Sequence, residues 1–222
     1  GGSLNKPTDL YIDGRDNVYI ADTGNNRIVQ LDKDGNFVRD YTDAGRLNAP
    51  EGVYVDADGD VYVGDTQNER IVHLDPSDVF IEEFVKPQSD MLDESMDFQV
   101  GRLGISPQGY IYLIRGQQFM TIDAENTFKG YVGANELDFS LTRILVRMFA
   151  SREQQSKLLK EEPPAYNSFD IGNDGMVYAT TVESKSSGQI RKINAVGTNI
   201  YPEKPYGETY FNEHTNTYNN PR

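Results

Sequence analysis

The sequence predicts an all-β protein built from repeated four-stranded units, and three observations carry that expectation. Residues 7–37 (PTDLYIDGRDNVYIADTGNNRIVQLDKDGNF) and 50–80 (PEGVYVDADGDVYVGDTQNERIVHLDPSDVF) are two versions of one phrase. Pro7 matches Pro50, Tyr19 matches Tyr62, Asp22-Thr23 matches Asp65-Thr66 and Arg27-Ile28-Val29 matches Arg70-Ile71-Val72, at a constant step of 43 residues. A match at a fixed step marks a repeat architecture, in which one unit cannot bury its own apolar face. Inside each unit, short apolar runs alternate with Asp/Asn/Gly clusters, the pattern of antiparallel hairpins. Four such strands per unit make one blade of a β-propeller.

The first unit sets the pattern. Leu10-Tyr11-Ile12 reads as a strand, Asp13 to Asn17 as a turn, and Val18 to Ala21 as a second strand. Asp22 to Asn26 turns again, Arg27 to Leu31 is the third strand, and Asp32 to Asn36 leads into a fourth near Phe37-Val38. A third unit is eroded: Val100–Ile105, Tyr110–Ile114 and Phe119–Asp123 are its strands, but Arg115-Gly116-Gln117-Gln118 stands where the first two carry the Asp-Thr turn. A fourth opens near Tyr166, with strands at 168–171, 176–180 and 189–193. The expected blades lie near 7–40, 50–85, 98–130 and 166–200 of a single domain. Gly35, Gly59, Gly109 and Gly175 fall where turns require a left-handed residue.

Between the third and fourth units the period changes. Leu141, Ile144, Leu145, Met148 and Phe149 recur at helical spacing, and Ser151-Arg152-Glu153-Gln154 has the form of a capping box. A helical insert is expected over 138–162, ended by Pro163-Pro164. Its plain role is to cover a blade edge or face. Arg143 and Arg147, four residues apart, also concentrate positive charge there and are candidate binding residues for an acidic partner. The segment from Tyr201 onward reads as loop or extended chain. Its aromatics, with Tyr206 and Tyr210 as the leading candidates, would serve a glycan site if they project from loops.

Composition narrows the function classes. The 222 residues carry 35 acids against 21 bases, a net charge of -14, which disfavours nucleic acid and anionic membrane as partners. Cys is absent, removing disulfides, thiol catalysis and thiolate metal sites. No run of 18 apolar residues occurs, so no membrane-spanning helix is expected. The opening Gly1-Gly2-Ser3 is expected to be a processing scar, with a signal peptide or lipid-anchored stem belonging to the native sequence. Four units are few for a closed ring. Truncation or cleavage of a longer protein is the favoured account, and self-association the alternative should the chain be complete.

The strings from Asn17 to Ile28 (NVYIADTGNNRI) and from Asp60 to Ile71 (DVYVGDTQNERI) closely resemble the NHL repeat. That resemblance implies a propeller, most often six-bladed, of which four repeats are two thirds. The interrupted repeat with its helical insert is also similar to a group of bacterial surface-associated, often lipid-anchored NHL proteins, which implies an extracellular or cell-surface location. Other relatives of the fold include lactonases and the lyase that completes peptide amidation. The latter needs several histidines, and this chain has His73 and His214 alone.

Asp22, Arg27, Asp65 and Arg70 look catalytic in isolation, but copying in successive blades makes them structural: an ion pair tying the turn between second and third strands. Tyr19 and Tyr62, with Tyr112 and Tyr178, are expected to pack blade against blade and to find a hydroxyl partner. No catalytic or metal-ligating residue is assigned and no cofactor is expected. The functional expectation is a non-catalytic scaffold binding a protein, or alternatively a glycan, at the cell surface. The alternative is a metal-dependent lactonase-like hydrolase with calcium in the central channel, a ligand set implied by the resemblance alone.

Overall fold

The structure is a computed structural model that describes residues 2–132, 165–172, 174–181, 190–194 and 200, and the backbone of 211–212 and 217–218. The fold is all-β, of the β-propeller type. The chain divides into two compact units, residues 1–130 and 131–222. The first holds three sheets, each a four-stranded antiparallel meander in chain order. Blade 1 comprises β1 (Asp9–Ile12), β2 (Val18–Asp22), β3 (Arg27–Leu31) and β4 (Phe37–Tyr41); blade 2 comprises β5 (Gly52–Val55), β6 (Val61–Asp65), β7 (Arg70–Leu74) and β8 (Phe80–Val85). Blade 3 comprises β9 (Val100–Ile105), β10 (Ile111–Arg115), β11 (Gln118–Ile122) and β12 (Phe128–Tyr131).

In the second unit β13 (Tyr166–Ile171), β14 (Val177–Thr181) and β15 (Ile190–Ile193) form a three-stranded sheet among the described residues. The tail, expected to be loop or extended, contains a short hairpin in which β16 (Phe211–Asn212) pairs with β17 (Thr217–Tyr218). The segment expected to be a helical insert lies outside the described residues.

Alternation along the strands explains how blades 1 and 2 stack. Register pairs Asp9 with Ala21 and Tyr11 with Tyr19, and continues through Ile28 opposite Ala21 and Tyr41 opposite Ile28. These residues share one face of blade 1. They pack on the opposite face of blade 2, made of Val53, Val55, Val61, Val63, Val72 and Leu74, with Leu47 joining the same cluster. Each fully buried aliphatic side chain there contributes about 1.5–3 kcal/mol of transfer free energy. On the other face of blade 1 Val29 is buried, but Leu10 and Ile12, at the positions of the buried Val53 and Val55, are 60% and 54% exposed.

The backbones of neighbouring blades come closest at the first two strands: β1 and β2 lie against β5, and β5 and β6 against β9. Blades 2 and 3 approach most closely at two glycines. A Cβ at Gly52 would stand 2.7 Å from the Gly101 carbonyl oxygen, and one at Gly64 2.8 Å from that of Val100. Blade 1 accommodates Ala21 at the position of Gly64, so this requirement belongs to the second interface.

The tight turns use left-handed residues at repeating positions. Asp16, Gly59, Gly109 and Gly175 occupy that region between first and second strands, and Gly35, Asp78 and Asn126 between third and fourth. Asp78, at φ 67°, takes the place of Gly35. Its carboxylate accepts the Thr42 and Asp43 N–H groups at 3.1 and 3.0 Å and the Thr42 hydroxyl at 3.2 Å, tying the turn to the linker between blades. Asp78→Gly removes a left-handed strain of about 1 kcal/mol and loses charge-assisted bonds of about 1.5–3 kcal/mol. The variant is expected to be less stable by about 0.5–2 kcal/mol in urea denaturation, and a stabilised variant would show that backbone relief outweighs the cap.

Candidate functional site

The turn between second and third strands is the most heavily bonded feature of blades 1 and 2. In each, a 3-10 turn (Thr23–Asn25 and Thr66–Asn68) is preceded by an aspartate and followed by a left-handed residue, Asn26 or Glu69. Asp22 is fully buried; its Oδ1 accepts the Asn5 N–H at 2.6 Å, and its Oδ2 accepts Asn25 Nδ2 and Arg27 Nε, both at 2.8 Å. Asp65 repeats the set with Asn48 N at 2.7 Å, Asn68 Nδ2 at 2.7 Å and Arg70 Nε at 2.8 Å. A buried carboxylate costs little when its lone pairs are filled in this way.

The neighbouring residues carry the bonding outward. Asn25 Nδ2 also donates to the Ser3 carbonyl at 3.0 Å, and Asn68 Nδ2 to that of Arg46 at 2.8 Å. Asn26 accepts the Ala49 N–H at 2.8 Å in the following linker. The threonines reach the next blade: Thr23 Oγ1 donates to the Pro50 carbonyl and Thr66 Oγ1 to that of Val100, each at 2.7 Å. Each turn therefore binds the segment entering its own blade through Asp and the segment entering the next through Thr.

Arg70 has more acids than its counterpart. Arg27 meets Asp22 and, at 3.3 Å, Asp40; Arg70 meets Asp65, Glu83 at 2.9 Å, and the buried Asp43 at 2.7 Å. Arg46 also pairs with Asp43. Blade 3 reverses the polarity. Arg115 stands at the aspartate position, and its Nε donates to Asp97 Oδ1 at 2.7 Å while Nη1 donates to Gln118 Oε1 at 2.8 Å. The break in the motif at 115–118 is thus an exchange of charge that still fastens the incoming linker.

The recurring tyrosines take different surroundings. Tyr19 OH accepts from Gln30 Nε2 at 3.0 Å, whereas Tyr62 stacks on His73 with ring centres 4.0 Å apart. His73 is buried between two acids, with Nε2 3.2 Å from Asp60 and Nδ1 3.1 Å from Glu82. Burial pushes the Tyr19 and Tyr62 hydroxyls well above the ordinary tyrosine value.

A second polar feature lies on the first strands. Asp9 pairs with Ala21, Gly52 with Gly64 and Arg102 with Ile114, so Asp9, Gly52 and Arg102 hold one position in three successive blades. Arg102 Nη1 lies 3.1 Å from Asp9 Oδ1, and Asp9 Oδ2 accepts the Val53 N–H at 3.2 Å. Burial pushes the Asp9 carboxyl up, against the opposing pull of Arg102 and the Val53 and Leu10 N–H groups. Aligning the units on the turns at Asp13, Asp56 and Ser106 brings these residues into register. That alignment is the sequence signal for them; Asp43 lies in a linker outside the repeat and has none.

The candidate binding residues Arg143, Arg147, Tyr206 and Tyr210 lie outside the described residues. Among the described residues no group of three or more His, Asp or Glu is placed to hold a metal ion.

The geometry repeated in blades 1 and 2 coincides with two matches to a known family, over residues 4–31 and 47–74. The matching family is the NHL repeat. The matched segments cover the Asp-Asn-Arg turns and the strands that carry them. No curated protein matches the chain in sequence. Among solved structures it is similar to a streptogramin B lyase at TM-score 0.58 and 15% identity, covering 91% of this chain and 56% of that one. It is likewise similar to virginiamycin B lyase from Staphylococcus aureus at TM-score 0.57 and 13% identity, covering 92% and 57%. A third, hydrazine synthase of Kuenenia stuttgartiensis, reaches TM-score 0.57 at 14% identity, covering 90% and 49%. The chain thus spans about half the length of these structures, and at such identities the likeness shows the fold alone.

Removing a buried carboxylate strands its partners, so Asp22→Ala and Asp65→Ala should each cost about 3–5 kcal/mol. Arg70→Ala should cost more than Arg27→Ala in the same denaturation series, because three acids each lose an ion-pair contact instead of two. Equal losses would show that the third acid adds nothing.

Acid titration gives a separate test of Asp22. Burial would raise its carboxyl, but bonds from Asn5, Asn25 and Arg27 outweigh that and hold it below the usual carboxylate value. Its stabilisation is then present above the unfolded value of about 4 and lost as pH falls through the folded one. Asp22→Asn should flatten the acid limb of stability against pH; an unchanged limb would remove Asp22 from the account.

Proposed function

We propose that this chain is a non-catalytic propeller scaffold that holds a protein or other ligand at the cell surface. The observation that carries the reading is the use made of its most chemical-looking residues. In both NHL repeats the Asp, Asn, Thr and Arg side chains are bonded to their own blade or to the chain entering the next. A carboxylate saturated by three donors is a poor base, and an arginine forked onto acids is a poor electrophile. These residues build a frame on which loops and faces are presented, which is how repeat folds support recognition.

The other reading, a metal-dependent lactonase-like hydrolase, needs oxygen ligands converging in a channel lined by first strands. Asp9 is the one carboxylate on β1, β5 and β9, and it is committed to Arg102 and the Val53 N–H. Calcium-dependent hydrolysis of a panel of lactones separates the two. The scaffold predicts no turnover above the calcium-only blank, and turnover that tracks calcium would replace it with the hydrolase. Surface placement is tested on intact cells making the full-length protein, where added protease should cleave it without lysis; protection until lysis would overturn that part.

A further inference from the structure

We propose that Arg102, oriented by Asp9 across the gap at Gly52, anchors an oxyanion: a carboxylate or phosphate group of a ligand held at the starting end of the first strands. This goes beyond the scaffold reading by naming a ligand chemistry.

The strands β1, β5 and β9 carry two charged residues, Asp9 and Arg102, and these two meet. They stand at one repeat position, with glycine in the blade between them. A side chain at Gly52 would collide with the Gly101 carbonyl and come within 3.1 Å of the Arg102 Cα, so the gap is a condition of the pairing. The Asp9 carboxylate is 6% exposed and held by Val53 N–H as well as by Arg102. Burying a carboxylate is costly, and a half-exposed pair returns little stability. The blades are already fastened by the bonds of their turns. Positioning a guanidinium is what the arrangement achieves.

The chemistry follows from the fork. A guanidinium has five N–H donors in one plane, suited to two oxygens of a carboxylate or phosphate. Asp9 engages Nη1, and the Arg102 side chain remains 35% exposed. Among the described residues Asp9 is the one acid paired with it.

The test uses the full chain and the Arg Nε–H signals in a nitrogen-edited NMR spectrum. Inorganic phosphate and succinate are titrated separately at constant ionic strength, with chloride as the reference. One of the two should shift the Arg102 signal saturably, and the one acting at lower concentration names the oxyanion class. Arg102→Gln should weaken binding of that probe at least about tenfold. Lys33→Gln, which removes the same charge from an exposed turn, should leave it unchanged. Shifts matching those with chloride, or full affinity in Arg102→Gln, would overturn the assignment. Failure here leaves the scaffold reading standing, because that reading is decided by the hydrolysis and protease experiments.

Discussion

The architecture depends on a buried carboxylate at the turn between the second and third strands. Asp22 and Asp65 each collect a backbone N–H from the incoming chain, an amide from their own turn and a guanidinium from the third strand, with matching distances in the two copies. Apolar packing alone would let one sheet slide on another, because Val, Leu and Tyr contacts are not directional. The carboxylate supplies direction, fixing where each blade starts relative to where the last one turned.

The same constraint explains which positions vary. A site inside the network tolerates exchange only when the partners change with it, as in blade 3, where Arg115 replaces the aspartate and Asp97 in the linker supplies the acid. Positions outside it vary freely: Gln30 becomes His73, and the tyrosine beside it exchanges a hydroxyl bond for a stacked ring. Gly35 becomes Asp78, whose carboxylate takes up a linker that a glycine could not bond.

Much of the fold was legible in the sequence because strand period, turn residues and the 43-residue step agree with one another. The pairing of Asp22 with Arg27 and of Asp65 with Arg70 follows from their recurrence. What was not legible involves partners distant in sequence. Thr23 and Thr66 repeat as visibly as the aspartates, yet their acceptors lie in the next blade and no local pattern shows it. Asp43 sits in a linker without a counterpart. Asp9 and Arg102 are separated by 93 residues and become neighbours only when three blades converge on their first strands. The expected binding residues on the insert and tail lie in segments outside the repeated units, which no second copy constrains.

The threonine bonds have a consequence for how the chain is made. The acceptors of Thr23 and Thr66, at Pro50 and Val100, are both downstream. As a ribosome releases the N-terminus first, blade 1 emerges with its turn incomplete and acquires the last bond only after the start of blade 2 is out, and blade 2 waits in the same way for blade 3. Completion of each blade therefore lags synthesis by one repeat, and a stall in translation between repeats would leave the most recent blade as the one exposed to proteolysis.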